Sequence, residues 1–136
     1  MKPRYFVQAI SSVAVLLVTT SFAGAQVSDD VVKIGVLTDM TGLYSDLSGP
    51  GSVAAAKMAV EDFGGKVLGK RIEVISADHQ NKPDVGAGIA RRWFDLEQVD
   101  AIVDVPTSSV AFAVQEISRQ KNRALLISSS GSGKSM

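Results

Sequence analysis

The chain has 136 residues, 46% apolar and 21% charged, which suits one small globular domain and excludes intrinsic disorder. Basic and acidic side chains balance at 14 each, with no basic stripe, so a nucleic-acid partner has no electrostatic source. Cys is absent and His occurs once, excluding disulfides, thiolate metal sites, a Cys nucleophile and a multi-histidine metal centre. No cofactor is expected.

Residues 1–25 carry the pattern of an export signal. Lys2 and Arg4 precede a mostly apolar stretch from Phe6 to Val18, and Ala23-Gly24-Ala25 follows as a small-x-small cleavage pattern. Gln8, Ser11 and Ser12 break the stretch, which is too short for the roughly 20 apolar residues of a membrane span. A periplasmic product cleaved after Ala25 is expected.

Val31–Leu37 is a β-branched apolar run of strand length. Val53, Ala56, Val60 and Phe63 then share one helical face, with Ser52 as a candidate cap and Gly64-Gly65 as a stop. Val67-Leu68-Gly69-Lys70 reads as a turn feeding a second strand, Ile72–Ile75. A second helix opens at Pro83 or Asp84 and carries Val85, Ile89, Trp93 and Leu96 on its stripe. Ala101–Val105 is a third strand, followed by a helix with Val110, Val114 and Ile117 inward, capped by Ser108 or Ser109. Ala124–Ile127 is a fourth strand. Each stripe is expected to be a core face. Strand and helix alternate, which predicts an α/β fold: a doubly wound parallel sheet with right-handed crossovers and helices on both faces. Ser128–Met136 reads as the loop before a further helix that does not follow, so a fragment is expected.

In open parallel sheets, ligands bind beyond the carboxyl ends of the strands. The loops there are Thr38–Ser52, Asp78–Lys82, Pro106–Ser109 and Ser128–Gly133, and all but the second are rich in hydroxyls and glycine. Two adjoin helix N-termini, whose free N–H groups suit a carboxylate or phosphate. Ser and Thr are also ordinary cap and turn residues, which explains any one loop alone. Sharper motifs fail on residue type. Gly133-Lys134-Ser135 lacks the phosphate-loop glycine where Ser128 stands, Gly49-Pro50-Gly51 is no dinucleotide fingerprint, and Ser130 occupies a position that a nucleophile elbow reserves for Gly. His79 beside Asp78 could be drawn into a triad with a rim serine, but a lone turn histidine is more often a surface or hydrogen-bonding residue.

Lys33–Leu37, Met40-Thr41-Gly42, the small-residue helix ending at Phe63-Gly64-Gly65, Gly69–Val74 and the Asp78 turn together resemble periplasmic solute-binding proteins. The type is that of the leucine/isoleucine/valine-binding receptors of ABC importers. The resemblance runs from about Val31 to Ser132. Tyr44–Ser52 and Asp78–Pro83 look most like a branch serving aromatic or other organic acids.

The resemblance implies two α/β lobes closing on a ligand. Residues 26–136 would form a partial, truncated N-terminal lobe (type I). It implies that a ligand carboxylate is held by Ser108 or Ser109 and by Ser130 and Ser132, with Tyr44 flanking the ligand side chain. The expected partners are a small carboxylate-bearing solute (a branched-chain amino acid or an aromatic or organic acid) and an ABC permease of the inner membrane. The receptor is expected to be a monomer without catalysis. The end of the chain departs from the small acidic-polar run usual in the family. Two alternatives use the same features: a ligand-sensing module of the same fold, and a small exported hydrolase built on His79 and a rim serine.

Overall fold

A computed structural model describes residues 29–130; the leader, its cleavage site and Ser132 lie outside the described residues. In chain order the elements are β1 (Val31–Thr38), α1 (Gly49–Asp62), β2 (Lys66–Val67), β3 (Lys70–Asp78), α2 (Pro83–Asp95), β4 (Ala101–Asp104), α3 (Ser108–Lys121) and β5 (Ala124–Ile127). They form one sheet in the order β2-β3-β1-β4-β5. β3, β1, β4 and β5 are mutually parallel, as the alternation predicts. β2 is an addition: Lys66 and Val67 pair antiparallel with Arg71 and Lys70. Leu68 (φ 52°) and Gly69 (φ 78°) supply the two left-handed residues of that tight hairpin. The expected turn is present, and it shields one edge of the sheet.

Successive side chains of a strand point to opposite faces, and β1 shows what each face receives. Leu37 enters the main core with Ala87, Ala90, Trp93 and Phe94 of α2, Val110, Ala111, Val114 and Ile117 of α3, and Ile102 of β4. Gly35 faces the same way, and a Cβ there would lie 2.4 Å from Cζ3 of Trp93. Close approach of the indole to the strand therefore depends on glycine at this position. Full burial of each such large side chain contributes about 1.5–3 kcal/mol. The α3 stripe is buried as expected, whereas the α2 stripe is rotated. Its buried residues are Gly86, Ala87, Ala90, Trp93 and Phe94, and Leu96 is 77% exposed.

Ile34 and Val36 face α1. Here the expectation of a core face fails, because of the α1 residues only Gly49 is buried. Phe63, just past the helix, is 66% exposed. An apolar groove of about 480 Å³ lies between Ala55, Ala56, Ala59 and Val60 of α1 and the sheet residues Ile34, Val36 and Leu126. The small side chains of α1 leave this space unfilled.

Helix ends follow the expected chemistry in part. Gly64 (φ 96°) and Gly65 (φ 69°) take the left-handed backbone that stops α1, and Asn122 (φ 50°) does the same for α3. Pro83 opens α2, where its missing N–H costs nothing. The N-caps are Ser48 and Thr107 rather than Ser52 and Ser108 or Ser109, and neither makes a side-chain capping bond.

Candidate functional site

Parallel strands deliver all their carboxyl ends to one rim, and three of them deliver an aspartate there. Asp39 follows β1 directly, Asp78 closes β3 and Asp104 closes β4. Asp39 is fully buried. Its Oδ1 accepts from the Gly42 N–H at 2.9 Å and its Oδ2 from the Tyr44 N–H at 2.9 Å, so the loop curls around one carboxylate. A Cβ on Gly42 would lie 2.5 Å from that carboxylate, hence the glycine. Behind it, Thr38 Oγ1 donates to Ser48 Oγ, which donates to the Tyr44 carbonyl, both at 3.1 Å.

Asp78 fastens the same loop from the neighbouring strand. It accepts from the Met40 N–H at 3.0 Å, Thr41 Oγ1 at 2.6 Å and the Gln80 N–H at 2.7 Å. Burial pushes the Asp78 carboxyl up, but these hydrogen bonds and the nearby His79 outweigh it and hold its pKa below the usual value.

His79 is completely buried, which corrects the expectation of a surface histidine and keeps the hydrogen-bonding one. Its Nδ1 accepts from the Asn81 N–H at 3.0 Å, and Nε2 is buried without a partner. Burial pushes its pKa below the ordinary value, against the opposing pull of Asp39, Asp78 and Asp104. The acceptor role of Nδ1 places the proton of the neutral ring on Nε2. Among the described residues no serine hydroxyl hydrogen-bonds to His79, so the triad reading has no geometry behind it.

Of the sequence-predicted residues, the fold brings two together. Ser130 Oγ donates to Ser108 Oγ at 3.1 Å, joining the loop after β5 to the first residue of α3. Ser109 is exposed, one position further into the helix. Tyr44 is half-buried in the loop after β1, with its backbone tied to Asp39 and Ser48. Ser132 lies outside the described residues. Of these serine- and tyrosine-bearing loops, none carries Lys or Arg among the described residues. They can therefore bind an anionic group only through neutral hydroxyls, backbone N–H groups and the α3 N-terminus. Among the described residues there is also no cluster of three or more His, Asp or Glu able to hold a metal. No described helix is long and apolar enough to cross a membrane.

The aspartates were missed as organising residues. Their signal was available, because Asp at the end of an apolar strand, followed by turn residues, is positioned to accept from the next few N–H groups.

A search of curated protein sequences returns no match. A family model described as periplasmic binding protein matches residues 31–136. Among solved structures, the chain is similar to a periplasmic binding protein from Burkholderia mallei at 46% identity and a TM-score of 0.74, covering 77% of this chain and 28% of that one. A branched chain amino acid ABC transporter periplasmic ligand-binding protein from Burkholderia xenovorans is also 46% identical, with a TM-score of 0.72 over 74% of this chain and 27% of that one. A solute binding protein of an ABC transporter from Rhodopseudomonas palustris, in complex with 3,4-dihydroxybenzoic acid, shares the fold at 24% identity and a TM-score of 0.72, over 79% of this chain and 29% of that one. The chain thus spans less than a third of the length of these relatives. Matched over most of its length, it belongs to the periplasmic binding protein family, whose members bind solutes and do not catalyse reactions.

Proposed function

We propose that residues 26–136 form part of the first lobe of an extracytoplasmic receptor that delivers a small carboxylate-bearing solute to an ABC permease. In this reading residues 1–25 are an export signal cleaved after Ala25, and a second lobe completes the site. The observation that carries it is the contact between Ser130 and Ser108 at the start of α3. Two neutral hydroxyls there converge beside free helix N–H groups, on the rim where parallel sheets hold ligands. In this reading Ser109 and Ser132 are further donors to the solute carboxylate, and Tyr44 flanks the solute's side chain. The shares of the relatives' lengths that the chain covers, 28% and 27%, support a second lobe.

One relative is named for branched-chain amino acids and another holds a dihydroxybenzoate, so those two classes are the ones to test. Calorimetric titration of a product long enough to carry both lobes, against L-leucine, L-isoleucine and 4-hydroxybenzoate, is expected to give binding by one class. Ser108→Ala and Ser130→Ala should each weaken it about tenfold, the loss of one good hydrogen bond to a charged group. The 136-residue chain alone should bind at least a hundredfold more weakly, since one lobe covers only one side of a ligand. No binding by the two-lobe product, or full affinity in both serine variants, would refute the assignment.

A further inference from the structure

Asp104, which closes β4, is 5% exposed. It has φ 81°, and Val105 after it has φ 55°. Two successive non-glycine residues in the left-handed region are unusual, and a β-branched one there is a true outlier. The chain turns sharply at this point into Pro106 and α3. Its Val105 N–H donates to the Leu37 carbonyl at 3.0 Å, which fixes the turn from the β1 side.

From the β5 side the same residue is gripped three times. The Ser128 N–H donates to the Asp104 carbonyl at 3.3 Å. The Ser128 and Ser129 hydroxyls both donate to Asp104 Oδ1, at 2.9 Å and 3.0 Å. The next residue, Ser130, is the one that reaches Ser108. Asp104 Oδ2 is buried without a partner, so the carboxylate is poorly served by the fold itself. Glycine would accept the backbone angle freely and would bury no unpaired oxygen. What glycine would lack is the side-chain oxygen that holds the two serines.

We infer that Asp104 is a positioning residue for the solute site, clasping Ser128 and Ser129 so that Ser130 and Ser108 present their hydroxyls together. The inference rests on the receptor reading above. Its test compares Asp104→Gly, which relieves the backbone and removes the clasp, with Asp104→Asn, whose amide oxygen still accepts both hydroxyls. Both variants are made in the two-lobe product. Hydrogen exchange of the segment 128–130, followed by mass spectrometry, reads the clasp without any ligand.

In Asp104→Gly, exchange there should accelerate at least tenfold and affinity for L-leucine or 4-hydroxybenzoate fall at least tenfold, with the melting temperature unchanged or raised. Asp104→Asn should stay within about threefold of wild type on both counts, since hydrogen bonds to the hydroxyls survive. Unchanged exchange in Asp104→Gly would overturn the clasp. Accelerated exchange with unchanged affinity would overturn its role in the site. An affinity loss that follows the melting temperature in both variants would reduce Asp104 to a structural part. Should wild type bind neither probe, the receptor reading falls, and exchange alone then decides the clasp.

Discussion

Gly35→Ala tests the packing of the main core most directly. The new Cβ would lie 2.4 Å from Cζ3, 2.6 Å from Cε3 and 3.1 Å from Cη2 of Trp93, whereas carbon atoms rest at about 3.5–4.0 Å. Relief requires a shift of about 1 Å, and neither side can give it cheaply. Trp93 is 2% exposed among α2, α3 and the sheet, and Gly35 sits in β1, which is paired on both sides. Overpacking of this kind costs about 1–3 kcal/mol, and this contact belongs at the upper end. For a domain of this size, that lowers the melting temperature by about 10–20 °C. The chain has a single Trp, so Trp93 fluorescence reports urea unfolding of the region under strain. Combining Gly35→Ala with Trp93→Leu, followed by circular dichroism, should cost less than the two single changes together, because the neighbours are coupled. A Gly35→Ala midpoint equal to wild type, or strict additivity in the pair, would refute the packing argument.

Two further perturbations probe the rim. The buried His79 ring stays neutral in the folded chain where the unfolded ring protonates. Its contribution to stability is therefore complete above the ordinary His value of 6.5 and declines as pH falls below it. Asp78 acts in the same direction lower down, its contribution being complete above 3.8 and lost as pH falls towards its lower folded pKa. Urea midpoints should drop from neutral to mildly acidic pH; an equally steep drop in His79→Gln would show that another group is responsible. Asp39→Ala leaves the Gly42 and Tyr44 N–H groups without their acceptor and should cost about 3 kcal/mol, with Asp39→Asn costing about half. Equal losses in the two variants, measured by urea titration, would mean that the loop does not depend on the carboxylate.

The parallel strands were readable because each is a β-branched run bounded by turn residues, and their alternation with helices leaves few topologies open. Helix faces were read less well where small side chains share the periodicity. The α1 stripe of Val53, Ala56, Val60 and Phe63 has the right spacing, yet α1 faces the sheet with Ala55, Ala56 and Ala59 as well, too short to fill the space, and a groove results. In α2 the buried face runs through Gly86, Ala87 and Ala90, so a stripe chosen for bulky residues pointed to one side of the true face. A Cβ on Gly86 would lie 2.5 Å from Val110 Cγ1, a contact that no hydrophobic pattern announces. At the rim, the serines drew notice as donors. The aspartates at the strand ends gave a weaker signal, because an acceptor of backbone N–H groups is recognised only once the chain has turned back on it.

The aspartates at the ends of β1, β3 and β4 have a kinetic consequence. Loops wrapped around Asp39, Asp78 and Asp104 have their conformational entropy removed when the chain folds, so a solute arriving at the proposed site would have little left to freeze. In a receptor of the proposed kind, the speed of capture is then set by diffusion and by the swing of one lobe towards the other, not by ordering of this surface. It also separates what can vary from what cannot. Leu43 and Leu47, 79% and 82% exposed on the loop after β1, can be exchanged while the backbone beneath them keeps its shape.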